Sequence, residues 1–333
     1  MQMIDVNMAI NAIENERMQK ESKPNTDMVP EIVGILSIKK ANDVMKEAAQ
    51  RPNPKELWMT LWYESEVCVL FSDSNLGKSI YAVQIASEIA KIQRTLYFDF
   101  ELSDKQYQLR YTDDQGNLFK FPDNLYRVDI DRDSLDVSNF EDAVINSIES
   151  SALETGANVL IIDNLTFLCL ASEKGDAAGN LMMRLTALKK RHGWSILIIA
   201  HTPKRPLTNP ITANDLAGSK KLYNFFDSGF AIGKSAKDSG LRYIKQLKVR
   251  HGEYTYDSDN VIVAEIKKDG SFLHFNHVGF STEREHLKEQ SESDKSAIID
   301  KAKELSTEGK STREIAKELG ISAMSVSRYL RQV

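Results

Sequence analysis

The sequence predicts an α/β protein: a mostly parallel sheet flanked by helices, followed by a small all-α C-terminal domain. Two observations carry this expectation. Short apolar runs rich in β-branched residues, 66-EVCVLF-71, 95-TLYFDF-100, 158-NVLIID-163 and 195-SILIIAH-201, alternate with helix-length amphipathic stretches between Glu56 and about Phe280. Strands of this kind are buried on both faces and joined by crossovers, as parallel pairing requires. From residue 294 to 333 the pattern is helical, with no further strand-like run.

The chain has 333 residues, enough for a core of about 200–250 residues with one or two appendages. Residues 1–50 read as a polar, partly helical extension, with a helical pattern in 36-LSIKKANDVMKEAAQ-50. The segment 51-RPNPK-55 then breaks any helix, because proline removes a backbone donor and restricts its predecessor. Residues 51–280 form the α/β domain. Within it, 227-DSGFAIG-233, 241-LRYIKQLKVR-250, 260-NVIVAEIKK-268 and 271-SFLHFNHV-278 are closely spaced, which predicts antiparallel strands extending the sheet, with a turn at 268-KDGS-271. Residues 281–293 are polar and charged and read as a linker, and 294–333 as three short helices.

Composition excludes some functions. No run approaches ~18 apolar residues and the N-terminus is acidic where a signal peptide would be basic, so a cytoplasmic chain with no membrane partner is expected. Cys68 and Cys169 lie in apolar runs without metal-ligand spacing and read as buried thiols. The net charge of -5 says nothing against nucleic acid, because a basic face can sit on an acidic body.

The most informative stretch is 71-FSDSNLGKSIYAVQIASEIA-90. It matches the phosphate-loop pattern G-x-x-x-x-G-K-[ST] between a strand and a helix, except that Ser72 stands at the first glycine. Backbone N–H groups of Ser72, Asp73, Ser74, Asn75, Leu76, Gly77, Lys78, Ser79 and Ile80 are expected around the phosphates of ATP. Lys78 is expected at the β- and γ-phosphates and the Ser79 hydroxyl on Mg²⁺. Asp163, ending an apolar strand, is the expected second metal-side oxygen. A small serine fits the first position if its φ stays negative, so binding is expected to survive.

The segment 98-FDFELSDKQYQLR-110 contains F-x-x-E-x-S-x-x-Q-x-x-x-R, with Phe98, Glu101, Ser103, Gln106 and Arg110. It resembles the motif after the second strand of RecA-superfamily replicative helicases of the DnaB type. That resemblance implies a RecA-like fold and assigns Glu101 as catalytic base, with Asp99 as the rival acid on the opposite face of the strand. The tip 198-LIIAHTPKR-206 is similar to that of plasmid RepA-like helicases, which implies that His201 senses the γ-phosphate. The K-V-R-H-G of 248–252 resembles the K-x-R-x-G by which Lys and Arg reach a neighbouring subunit's ATP site. This implies that Lys248 and Arg250 complete a site shared between subunits of a homo-oligomer, expected as a hexamer. Loops after the third and fourth strands face the central channel in such proteins. Here 170–180 and 204–221 occupy those places, which makes Lys204, Arg205, Lys220 and Lys221 candidates for single-stranded DNA.

In 294–333, Ile298, Ile299 and Ala302 mark the apolar face of a first helix, and Ser311 or Thr312 with Glu314 offers a capping box for a second. Gly320 makes a turn, and Val326 and Leu330 point a third helix inward. The Ala316, Gly320 and Val326 positions are similar to those of the helix-turn-helix of resolvases and Hin-type recombinases. Ser325, Ser327, Arg328 and Arg331 would then meet duplex DNA. This segment carries eight basic and six acidic residues, against a net acidic chain.

The expected activity is hydrolysis of ATP to ADP and phosphate with Mg²⁺, coupled to movement on DNA as a RepA-like replicative helicase or translocase. Two rivals stand beside it: a nucleotide-switched DNA-binding regulator without motor activity, and a recombination accessory ATPase that forms filaments.

Overall fold

The structure is a computed structural model and describes residues 32–33, 36–130, 140–164, 177–202, 205–216, 220–289, 292–319 and 321–331. It divides into two compact units, one up to Asn53 and one from Pro54 onward. The first contains the antiparallel pair β1 (Ile32–Val33) and β2 (Leu36–Ser37) and helix α1 (Ala41–Ala49). Pro52 and Pro54 follow α1, where the sequence places the break.

The second unit opens with the short hairpin β3 (Glu56–Trp58) and β4 (Trp62–Tyr63). Then come β5 (Val67–Ser72), α2 (Lys78–Ala90), β6 (Thr95–Asp99), α3 (Asp104–Arg110), β7 (Leu125–Val128), α4 (Phe140–Thr155) and β8 (Val159–Asp163). They continue with α5 (Ala177–His192), β9 (Ser195–His201), the short helix α6 (Lys220–Tyr223), β10 (Ser228–Lys234) and β11 (Leu241–Lys248). A long hairpin, β12 (Val261–Asp269) and β13 (Phe272–Ser281), completes the sheet.

Among the described residues these strands form one nine-stranded sheet in the order β13-β12-β11-β10-β5-β9-β8-β6-β7. Pairing is parallel from β10 to β7 and antiparallel from β10 to β13. This is the mostly parallel sheet that the sequence predicts, with β5 and β8 separated by β9.

The period of two along each strand sorts the core into two layers. Val67, Val69 and Phe71 of β5 face α4 and α5, together with Leu160, Ile162, Ile196 and Ile198. Cys68 and Leu70 face α2, together with Val159, Ile161, Leu197 and Ile199. The apolar side of α2, from Tyr81 to Ile89, is covered in addition by Phe275 of β13. No helix among the described residues is long and apolar enough to cross a membrane.

Three expectations change. The 227–233 run is not antiparallel to its predecessor: β10 pairs parallel with β5, because the chain crosses over β5 on its way from β9. The strand β7 was not read from 125-LYRV-128, a four-residue edge element that is only half-buried. The expected linker at 281–293 is packed as far as His286. Ser281 still belongs to β13, and a 3₁₀ turn at Glu283–His286 buries Glu283 and His286. Glu283 accepts from Lys245 Nζ at 2.6 Å and from the Ile211 N–H at 2.8 Å, partners that composition does not reveal.

The C-terminal segment forms α7 (Glu292–Thr307), α8 (Thr312–Leu319) and α9 (Ala323–Leu330) around Ala302, Leu305, Ile315, Ala316 and Val326. Ser311 caps α8 in a reciprocal bond with Glu314, as expected, and Ser322 caps α9 through the Ser325 N–H at 3.0 Å. Leu330 packs at the margin of this core, and Ile298 and Ile299 are half-buried on α7. Gly320 lies outside the described residues.

Candidate nucleotide site

The loop between β5 and α2 turns through two left-handed residues, Asn75 (φ 63°) and Gly77 (φ 95°). Ser72 is not one of them. It stays in the strand, buried, paired with His201 of β9 and Ile232 of β10. The first position of the pattern therefore needs no glycine backbone here, and the serine fits as the sequence reading required. Gly77 does need to be glycine, since a Cβ there would sit 2.7 Å from Ile266 Cδ1 and 2.9 Å from Phe275 Cε2. Ser74 and Asn75 are exposed, Leu76 is buried, and Asp73, Ser79 and Ile80 are partly buried.

Lys78 opens α2 and turns back over the loop. Its Nζ donates to Ser72 O and Asp73 O, each at 3.1 Å, with Ser72 Oγ at 3.4 Å. Burial lowers the pKa of this ammonium, against the opposing pull of Asp163, Glu101 and Asp73. It is a desolvated cation at the start of a helix, which suits a phosphate oxygen.

Asp163 ends β8, buried, and accepts the Tyr97 hydroxyl at 2.8 Å. Burial raises its pKa to about 6; the nearby Ser79 and Tyr97 hydroxyls oppose the shift, while Glu101 and Asp99 add to it. Ser79 and Asp163 together offer adjacent hard oxygen donors, the set that Mg²⁺ takes from protein when phosphates supply other ligands. Among the described residues no group of three or more His, Cys, Asp or Glu side chains would hold a metal by itself.

Glu101 follows β6. Its Oε1 lies 3.6 Å from His201 Nε2 and accepts a hydrogen bond from Asn164 Nδ2. The His201 imidazole holds the Glu101 carboxyl below its usual range, with Lys78 and Asn164 acting in the same direction against burial. Asp99, the rival acid, is occupied elsewhere: it accepts the Glu101 and Leu102 N–H groups and pairs with Arg127 Nε at 2.9 Å. Ser103 and Gln106 of the same motif form a capping box that starts α3.

Lys78, Ser79, Asp163, Glu101 and His201 are thus gathered at the C-terminal ends of β5, β6, β8 and β9. Sequence reasoning missed two sets of contacts. Asn164 bridges Glu101 and His201, and the only hint is its adjacency to the strand-ending Asp163. Asp73 accepts the Thr202 hydroxyl and lies 3.7 Å from Arg205 Nε. No local signal links residues this far apart in sequence.

Arg205 requires correction as a DNA candidate. Its side chain is only 6% exposed and also donates to Asn209 O at 2.7 Å, so it braces the loop from within. Lys204 lies outside the described residues, as do the side chains of Lys220 and Lys221 and residues 170–176.

Lys248 and Arg250 do not approach their own chain's loop. Lys248 pairs with Gly229, which is level with Val69, whereas the loop leaves the opposite end of β5 after Ser72. Lys248 Nζ donates to Tyr223 O at 3.0 Å, and Arg250 Nη1 pairs with Asp227 Oδ1 at 2.5 Å. Arg250 lies beyond the end of β11, so the two are not neighbours on one strand. On α9, Ser327, Arg328 and Arg331 line an open surface with Ala323 and the 83% exposed Met324, while Ser325 is partly buried beside the Ser322 cap.

A family model described as an AAA domain matches residues 37–206, half of the chain. The solved structure of a KaiC-like protein, PH0186, from the hyperthermophilic archaeon Pyrococcus horikoshii OT3 is similar at a TM-score of 0.47 and 11% identity, covering 65% of this chain and 91% of that one. No curated protein matches the sequence.

Proposed function

The chain belongs to the AAA domain family, and we propose that it hydrolyses ATP to ADP and phosphate to move along DNA. The form proposed is a replicative-type helicase or translocase assembled as a ring of identical subunits, a hexamer. The observation that carries the chemistry is the convergence of Lys78, Ser79, Asp163 and Glu101 at one end of the sheet, with the Ser79 hydroxyl close enough to Asp163 to act on its carboxyl.

Lys78 and the loop N–H groups hold the β- and γ-phosphates. Ser79 and Asp163 hold Mg²⁺, which neutralises charge on those phosphates when bound. Glu101 orients the attacking water and takes its proton, a task suited by a carboxyl kept ionised beside His201. His201 senses the γ-phosphate. Lys248 and Arg250, at the far end of the sheet, reach the site of the neighbouring subunit and stabilise developing charge there. Their distance from their own loop supports that reading.

DNA engagement rests on α9. Its exposed Arg328 and Arg331, with the partly buried Ser327 beside them, form a polar, basic strip on a short helix of the kind that enters a major groove. One such module binds weakly, and a ring supplies the multivalency. Lys220 and Lys221 are proposed for the translocating single strand.

The test is ATP hydrolysis with and without single-stranded DNA, comparing the intact chain with Lys78→Ala and Glu101→Gln. Stimulation by DNA is expected. Lys78→Ala should lose binding and turnover, and Glu101→Gln turnover alone. Negligible turnover together with a sequence-specific duplex footprint would replace the motor with a nucleotide-switched regulator.

A further inference from the structure

We propose that Asn164 is a positioning residue whose side-chain amide joins Glu101 and His201 into one hydrogen-bonded group at the nucleotide site. The inference rests on the reading of Glu101 as the base.

The sheet order makes Asn164 the natural bridge. Glu101 follows β6 and His201 ends β9, and β8 runs between those two strands. Asn164 is the first residue past β8, so it alone stands at the middle tip. It is 3% exposed, and its Nδ2 donates to Glu101 Oε1 and lies 3.2 Å from His201 Nε2.

The chemistry of an amide fixes its direction. Turning the Asn164 carbonyl toward Glu101 would set its lone pairs against a carboxylate, so the NH₂ group must face it. One hydrogen then goes to Glu101, and the same nitrogen lies 3.2 Å from His201 Nε2, whose donor or acceptor role follows its tautomer. A primary amide supplies both donors from one nitrogen, whereas a hydroxyl would supply one.

The bridge has work to do because Glu101 is 45% exposed and lies just past its strand. A glutamate so placed has several rotamers open to it, and only some aim the carboxylate at a water beside the γ-phosphate. Tying it to Asn164 selects one of them. It also links the base to the sensor, so that a shift of His201 is felt at Glu101 through the shared amide.

The experiment is a double-mutant cycle on the full chain, with Asn164→Ala, Glu101→Gln and the pair. Steady-state ATP hydrolysis gives kcat and KM, and a fluorescent ADP analogue gives affinity. Asn164→Ala should lower kcat about 10–100-fold, with KM and ADP affinity changed less than about threefold. Added to Glu101→Gln, it should change kcat by less than about threefold, because the group acts as a unit. Asn164→Asp keeps the shape of the side chain while opposing Glu101, and should cost at least as much, so a folding failure of the alanine variant does not decide the matter. Wild-type kcat in Asn164→Asp, additive losses in the pair, or a KM effect with kcat unchanged would each overturn the proposal. Full turnover in Glu101→Gln would overturn the assignment of the base itself, and this inference with it.

Discussion

Arg205 and Asp73 lie 3.7 Å apart, joining the segment after β9 to the second residue of the phosphate loop. The same carboxylate accepts the Thr202 hydroxyl, and the Thr202 N–H donates to Ser72 O at 3.1 Å. The loop that meets the phosphates and the strand tip that carries His201 are therefore linked by backbone and side chain together.

Arg205→Ala should accordingly weaken nucleotide binding and destabilise the fold by about 1–3 kcal/mol, the cost of leaving a partly buried acceptor without its donor. Arg205→Lys should not restore it, because the fork also serves Asn209 O and lies 3.5 Å from Tyr243 Oη. Thermal melts and the KM for ATP report this. Loss of DNA affinity with both of those unchanged would return Arg205 to the DNA surface.

Ser72→Gly restores the more common sequence of the loop and should not improve it. The residue is extended and paired, and its hydroxyl donates to Asp73 O at 2.9 Å. Glycine would cost up to about 1 kcal/mol through strand entropy, with ATP affinity within about threefold. A large gain in turnover would show that the serine restrains the loop.

Asp163 gives the site a defined pH dependence. Its pKa in the folded protein, raised to about 6 by burial, lies above the ordinary carboxylate value of 3.8. The native state therefore binds this proton more tightly than the unfolded chain. Ligand-free protein should gain stability from this group as pH falls from about 6 towards the ordinary value, and lose it as pH rises through about 6. Binding of Mg²⁺ with nucleotide needs the ionised carboxylate and should run the other way, weakening below about pH 6. Asp163→Asn should remove this contribution to the stability difference between pH 5 and pH 7, read by calorimetry at roughly those two values.

The Lys245–Glu283 pair, at 2.6 Å and almost wholly buried, should be costly to break from one side. Glu283→Gln or Lys245→Met alone is expected to lose about 3–5 kcal/mol, and replacing both with apolar residues to recover most of it. Denaturant midpoints of the three variants test this. Equal losses in single and double variants would assign the effect to packing.

Much of the fold was legible because it rests on local pattern. The alternation along 66-EVCVLF-71 and 195-SILIIAH-201 states which residues face each layer, and Ser311 with Glu314 states where α8 begins. The Lys78 and Asp163 positions were readable for the same reason, since a strand end and a helix start fix them. What escaped depends on residues brought together only by the sheet. Glu283 reads as a linker acid until Lys245 is beside it. Arg205 reads as a loop cation until Asp73 faces it, and Asn164 has no visible task until β6 and β9 flank it. Lys248 and Arg250 mark the same boundary, because Tyr223 O and Asp227 come beside them only through the fold.

Gln84 of α2 hydrogen-bonds both backbone groups of Phe275, accepting its N–H at 2.8 Å and donating to its C=O at 3.1 Å. A side-chain amide thus imitates the rung that a tenth strand would supply to β13. Any foreign segment seeking to extend the sheet there must first evict a residue rooted in the helix behind the phosphate loop. Accretion along that margin would therefore compete with a contact of the same helix that carries Lys78.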